Sequence, residues 1–459
     1  TRRWTLTAWL FLSLGLILGG RWAYDVLGWG GYWEWDPVEN VAFLPWLTGT
    51  AFLHSVMIQE KRGMFKLWNV VLILLTYLLV INGTLIVRTG LLSSVHAFAS
   101  SEINWQFFTF MGFIALFSLG WAIFRANKLY SNNYLESLFS REAAFLANNF
   151  IILAITVVIY FFTHFTLLSE AITGQEYGIG PDTYNQATGP LFAVLLLLMG
   201  VAPLTMWYRS SIRNLGKQAV WPAVTATVAT AGLIFGGMTR IGALIGMWIV
   251  FFSFLLTILE YIRGAQARVK ARKESWPTAF GRLFERNQRR YGGYLIHLGV
   301  LVMAFGIIGT EFFQTDRQIF LQTGDRASLG NYTIEFMGAE FSQENDTATA
   351  TGTVRVFDRN DNFITTLYPH TNIFSDGQGM TIPDARSTVA EDFYVILVNW
   401  EGVSENAATI RMYLNPLVNW VWAGGIVFII GTMIAAWPDP LDEKIALAEQ
   451  RRFTFISGD

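Results

Sequence analysis

The sequence predicts a polytopic α-helical membrane protein of about ten spans with a β-rich domain inserted on its outer side. Three observations carry that expectation. Hydrophobic residues make up 53% of the chain and charged residues only 14%, a balance that suits a bilayer better than water. Apolar runs long enough to cross a bilayer recur along the chain. One stretch of about a hundred residues near the C-terminus breaks that pattern with short alternating segments.

The apolar runs fall at about 4–20, 41–58, 66–88, 104–124, 142–168, 190–207, 219–237, 241–262, 292–312 and 414–437. Lys and Arg collect in alternate loops: Arg2 and Arg3, then Lys61, Arg62 and Lys66, then Arg125, Lys128 and Arg141, then Arg209, Arg213 and Lys217, and a dense set from Arg263 to Arg290. The loops between them carry almost none, so both chain ends are expected in the cytoplasm and the intervening loops outside. The first residue is Thr and no cleavable signal precedes the first run, so the chain is expected to begin inside a longer protein.

Residues 313–413 read as strands at Arg317–Leu321, Asn331–Phe336, Ala348–Phe357, Phe363–Tyr368, Phe393–Asn399 and Ala408–Tyr413, with a turn at Asn360, Asp361 and Asn362. The expected division is therefore nine membrane helices over 1–312, an outer β domain over 313–413, a last helix over 414–437 and a cytoplasmic tail over 438–459. In the β domain carboxylates outnumber arginines and Lys is absent. That acidic surface is either simply solvated or a docking face for a basic partner.

Between the first two runs, residues 22–40 pack Trp22, Tyr24, Trp29, Tyr32, Trp33 and Trp35 closely together, followed by Asp36, Pro37 and Glu39. One reading is an interfacial belt, because indole and phenol rings settle at headgroup depth. The other is a flat platform for a flat apolar ligand with a polar edge. The density, and the interleaved Gly28, Gly30 and Gly31 that permit close backbone approach, favour the platform. Asp36, Pro37 and Glu39 fit N-cap, N1 and N3 of the next helix, a capping box. No acid–base catalyst is expected among them.

Two of the five histidines share a depth. His54 lies about four residues before the cytoplasmic end of the second run and His297 about five after the cytoplasmic start of the ninth, each roughly 7 Å inside at about 1.5 Å per residue. Two imidazoles at matched depth on different helices suit a six-coordinate haem iron, or are two unrelated histidines satisfied by helix neighbours. His164 and His370 read as packed and surface residues. Asn148 and Asn149 sit near the cytoplasmic face of the fifth run, as partners of an axial imidazole or as helix-packing residues.

The string WGGYWEWDPVEN, with PWLTGTAFLHS after it and RTGLLSSVHAFA further on, resembles the tryptophan-rich signature of haem-handling membrane proteins, most closely the cytochrome c maturation protein F (CcmF) family. Tyr32 stands where that signature commonly has another Trp. The resemblance implies a cytochrome c haem lyase in the bacterial inner membrane, with the tryptophan stretch and β domain facing the periplasm. It implies haem as substrate, delivered by a periplasmic haem chaperone of the CcmE type and joined by thioether bonds to the CxxCH segment of an apocytochrome c. The substrate haem would rest on Trp22, Trp29, Gly30, Gly31, Tyr32, Trp33, Trp35 and Asp36, with His96 of the loop 89–103 as axial ligand. Arg21 and Arg88, near the outer ends of spans, either snorkel to the interface or pair with haem propionates.

The resemblance further implies an integral haem b between His54 and His297 as reductant, a quinol as electron donor, and accessory subunits of the CcmH, CcmI and CcmG types. The family uses two outer histidines, and only His96 stands in place here. A membrane haem transporter, or a quinol-linked haem b electron-transfer protein without ligation activity, would use many of the same residues. Cys is absent, so neither a disulfide framework nor a thiol nucleophile is available. The basic stretch 263–290 is a topology signal at anionic lipid, and the chain shows no phosphate-binding Gly-Lys loop, zinc helix or nucleophile elbow. Nucleic acid is not an expected partner.

Overall fold

The computed structural model describes residues 2–94, 103–131, 133–208, 210–344, 347–375, 379–398 and 403–437. Among them ten helices are long and apolar enough to cross a membrane: α1 (Arg2–Val26), α2 (Pro37–Arg62), α3 (Lys66–Thr89), α4 (Asn104–Phe124), α6 (Arg141–Thr173), α7 (Pro181–Val201), α8 (Ile212–Phe235), α9 (Ile241–Arg272), α11 (Gln288–Phe313) and α12 (Val418–Ala436). Two short helices, α5 (Ala126–Leu129) and α10 (Trp276–Arg286), lie between them. The protein is thus a polytopic helical membrane protein with a β domain inserted before its last span.

The sixth span differs from the expectation of 190–207. Pro181 occupies its first turn with Asp182 beside it, so the helix starts well before its apolar run. A 3₁₀ turn at Ala202–Leu204, built around Pro203, then takes over.

Backbone contact holds the last two spans together. An added Cβ at Gly299 of α11 would run into the backbone of Phe428, and one at Gly424 of α12 into Met303. With Gly306 at the following heptad position against Val421, α11 and α12 meet along a seam of small residues, the usual means of close helix association in lipid. A second core joins α2, α3, α6 and α7 around Leu44, Leu47, Phe52, Leu72, Ile155 and Tyr184.

The β domain has two sheets. One runs β1 (Thr315–Gln322), β10 (Ala407–Pro416), β9 (Glu391–Val398) and β8 (Asp384–Ser387). The other runs β2 (Arg326–Leu329), β3 (Tyr332–Glu344), β4 (Thr347–Phe357), β6 (His370–Phe374) and β7 (Gly379–Ile382), with β5 (Phe363–Leu367) on β4. All pairings are antiparallel. Inward residues of both sheets, among them Phe336, Val354, Phe393, Leu397 and Ile410, share one core. The short strands β2, β6, β7 and β8 were not anticipated: at four or five residues each they offer too few alternations to register against the surrounding polar sequence.

The β domain is locked onto the membrane helices. Tyr24, Tyr394, Ile396, Tyr413 and Val418 form a buried cluster between α1, β9, β10 and α12. The Tyr24 hydroxyl donates to Asp392 at 3.1 Å, and Tyr394 donates to the Tyr24 carbonyl at 2.9 Å.

Candidate haem-handling site

The connection from α1 to α2 carries the tryptophan stretch, and it begins by meeting the β domain. Gly30 has a φ of +82°, open to glycine but strained for other residues, and an added Cβ would lie inside the Tyr413 ring. Its carbonyl accepts from Gln314 at 2.8 Å and from Asn415 at 2.9 Å. The close approach that Gly30 permits is therefore to β10. Gly31 lies beside the Glu34 carboxylate, and Tyr32 meets Trp422 of α12 edge to face at 5.9 Å.

Trp33 and Trp35 turn the other way. Trp35 takes a left-handed φ of +56° and stacks on Tyr184 of α7 at 4.8 Å and 15°. Its indole N–H donates to Asn185 at 2.8 Å, and the amide of Asn185 donates to Glu311 at 2.8 Å. Trp33 meets Trp35 edge to face at 5.9 Å and Phe43 at 5.7 Å. A line of rings continues inward, with Phe43 on Trp46 at 5.4 Å and Trp46 on Trp9 at 5.6 Å. Trp22, on the last turns of α1, is 44% exposed, and Arg21 beside it pairs with Asp25 at 2.7 Å and lies 5.2 Å over the Trp422 ring.

Asp36 caps α2 as its sequence foretells. Its carboxylate accepts from the Val38 N–H at 2.9 Å, and Glu39 reaches back to the Asp36 N–H at 3.2 Å. Asp36 also accepts the Ser94 hydroxyl at 2.6 Å. His96 itself lies outside the described residues. Burial above all, and then the neighbouring Glu311, push the Glu34 carboxyl up to about 6 against the opposing pull of Arg411.

Deeper in the bundle, α2 and α11 bring His54 and His297 together. Their ring centroids are 6.3 Å apart with planes 11° from parallel. The Thr50 carbonyl lies 2.8 Å from His54 Nδ1. A carbonyl only accepts, so Nδ1 carries the proton and Nε2 is left with its lone pair for a metal. Nδ1 of His297 is buried without a hydrogen-bond partner. Thr50 is held in turn, its hydroxyl accepting the Trp9 indole at 2.9 Å.

This donor set fits a haem. Two imidazole nitrogens at roughly 2 Å from one metal put their ring centroids about 6 Å apart, close to the spacing here. A Cβ at Gly293, one turn from His297, would meet nothing, so that face of α11 is open. Among the described residues no group of three or more His, Asp or Glu side chains converges to hold a bare ion.

Known proteins resemble this chain in sequence and fold. A family model described as Cytochrome C assembly protein matches residues 1–93, and one described as CcmF C-terminal beta-sandwich matches 312–416. The Cytochrome c-type biogenesis protein CcmF of Pseudomonas aeruginosa is 33% identical over 444 residues, covering 95% of this chain and 65% of the relative. That of Escherichia coli is 32% identical over 454 residues, covering 97% and 66%. A solved structure named Cytochrome c Heme Lyase CcmF superposes with a TM-score of 0.75 at 29% identity, covering 95% of this chain and 66% of that one.

The chain belongs to the CcmF family. It spans about two thirds of the length of the CcmF relatives it matches, with 65% of the P. aeruginosa protein covered. As a CcmF-family chain it is a multi-pass inner-membrane protein with its β domain toward the periplasm, and the relatives it matches are named cytochrome c-type biogenesis proteins.

The other two histidines have ordinary surroundings. His164 stacks on Tyr160 at 4.1 Å and bonds the Tyr160 carbonyl at 2.9 Å, and His370 lies 3.3 Å from the Tyr368 carbonyl. Arg88 sits in the last turn of α3. Asn149 is 1% exposed, and neither its nitrogen nor its oxygen finds a protein partner. Sequence reasoning missed Trp9, Trp46, Tyr184 and Asn185. Tyr-Asn in the unusually long polar start of α7 was the one available signal.

Proposed function

We propose that this chain is the haem-handling core of a cytochrome c haem lyase of the periplasmic maturation system. A substrate haem delivered by a chaperone of the CcmE type would rest against Trp22, Trp29, Gly31, Tyr32, Trp33 and Trp35, above the capping carboxylate Asp36, with His96 as axial ligand and Arg21 and Arg88 toward its propionates; Gly30 is taken up by its contact with Tyr413. The two thiols of a CxxCH segment in apocytochrome c then add across its vinyl groups. Each addition forms one carbon–sulfur bond and moves the thiol proton to the neighbouring vinyl carbon, with no net oxidation.

The observation that carries this reading is the parallel, half-buried pair His54 and His297, with one imidazole already fixed in a metal-binding tautomer. Haem b held there would supply single electrons to keep the substrate iron reduced, itself re-reduced by a quinol. The chain's own residues do the rest by position. Trp35, clamped by Tyr184 and Asn185, offers a fixed ring face, and the packed outer junction excludes water, which supplies rate through orientation rather than acid–base chemistry. Accessory subunits of the CcmH, CcmI and CcmG types would present the reduced thiols, and the acidic β domain would meet a basic cytochrome surface.

The test is the haem content and reduced spectrum of the detergent-purified chain beside His54→Ala, His297→Ala and His96→Ala. Loss of a b-type spectrum in each of the first two is expected, with the third keeping that spectrum but failing to form thioethers on a co-expressed CxxCH protein. A parent without haem, or three variants indistinguishable from it, would instead favour a haem transporter or a structural role.

A further inference from the structure

The faces of α6 and α11 that flank the histidine pair both lead to arginine at the cytoplasmic side. Phe145 of α6 lies 5.7 Å from the His54 ring, and Arg141 is four residues earlier, one turn nearer the cytoplasm on the same face. On α11 the stripe runs from His297 through the open Gly293 to Arg290, in steps of four and three residues. The two arginines converge, because Arg141 lies within electrostatic reach of Arg290, Tyr294 and Glu260.

Their surroundings differ. Arg290 is fixed from the rim, donating to Glu260 at 2.8 Å and to the Tyr294 hydroxyl at 3.0 Å. Arg141 spends one terminal nitrogen on the carbonyls of Pro203 and Thr205, and its Nε is buried with no partner. A buried guanidinium N–H without an acceptor is costly at a membrane helix end. The bonds to the turn that follows α7, and a position 5.6 Å over the Trp207 ring, hold the guanidinium in place but leave that Nε unmet. An anion entering over Gly293 would satisfy it.

We propose that Arg141, with Arg290 behind it, is the carboxylate-binding rim of the histidine-pair site and holds the propionates of the haem that His54 and His297 ligate. The assignment rests on the haem reading above and extends it by fixing which edge of the macrocycle faces the cytoplasm. A guanidinium fork matches a carboxylate in two parallel hydrogen bonds, and the vinyl edge would then lie toward the apolar interior.

The test compares protohaem with protohaem dimethyl ester, which keeps the iron and ring but has no carboxylates. Each is loaded into the detergent-purified parent, Arg141→Leu and Arg290→Gln, and its loss to excess apomyoglobin is timed. In the parent the ester should leave about tenfold faster than protohaem, the scale of one charge-assisted hydrogen bond. In Arg141→Leu, protohaem should leave about as fast as the ester while the ester's own rate stays put. Equal rates for both molecules in the parent, or an equal acceleration of both in Arg141→Leu, would overturn the rim and leave the histidine assignment standing. A parent that takes up neither molecule with a b-type spectrum overturns both. Should Arg141→Leu fail to fold, Arg141→Lys carries the comparison, and there the gap between the two molecules should narrow without closing.

Discussion

Asn185 joins two residues far apart in the chain, accepting the Trp35 indole with its oxygen and donating to Glu311 with its nitrogen, both at 2.8 Å. Replacing it with Leu removes the acceptor of the half-buried Trp35 indole and one partner of the exposed Glu311, which should cost about 1 kcal/mol. Thermal melting in detergent reads that loss. Because Trp35 also loses its anchor, binding of haemin at the outer site should weaken while the b-type spectrum of the histidine pair stays as it is.

Asp36→Ala removes one side chain with two duties. It opens the capping box of α2, worth about 0.5–2 kcal/mol, and it frees Ser94, two residues before His96. The melting temperature should fall, and ligation to a co-expressed apocytochrome should fall with it. Asp36→Asn, which can still accept from a backbone N–H, should recover most of the stability.

The outer junction should loosen as pH rises. In the folded protein the Glu34 carboxyl sits at about 6 against an ordinary 4.5, so the folded state binds its proton more tightly than the unfolded chain. Its contribution is fully present below about 4.5 and is lost as pH rises through about 6. Melting followed from about pH 5 to about pH 7 should show a decline that Glu34→Gln removes. A parent and variant that decline in parallel would assign the effect to other groups.

Gly30→Ala should separate the β domain from the tryptophan stretch. The new methyl group meets both a left-handed φ and the Tyr413 ring, so the loss should exceed the roughly 1 kcal/mol of an ordinary glycine replacement. Protease sensitivity of the connection 27–36 gives the readout. Pairing the change with Tyr413→Ala should recover part of the loss, because only the steric component is relieved.

Much of this architecture is written locally. Long apolar runs announce the spans, and Asp36, Pro37 and Glu39 announce the start of α2, because caps and hydropathy depend on neighbours in sequence. Matched depth brought His54 and His297 together on paper, since helix rise converts residue number into distance. What stayed hidden depends on distant partners. Nothing around Tyr184 or Asn185 says that Trp35, some 150 residues earlier, will lie on them. Gly30 reads as a ligand-facing glycine until Tyr413 is seen against it.

The glycine seam between α11 and α12 has a bearing on biosynthesis. The two helices touch backbone to backbone, yet the whole β domain separates them in the chain, so the nascent protein must export that domain before its final segment emerges. Pairing of Thr315 with Leu414 brings the two crossing points side by side, and Gln314 ties Asn415 to Gly30 at the mouth of the seam. Folding of the exported domain thereby shortens a loop of about a hundred residues to almost nothing and lowers the entropy cost of docking the last helix. The outer domain thus acts as an assembly checkpoint. A substitution in its core, such as Phe336→Ser, should show itself on the other side of the bilayer as an undocked C-terminal helix open to degradation.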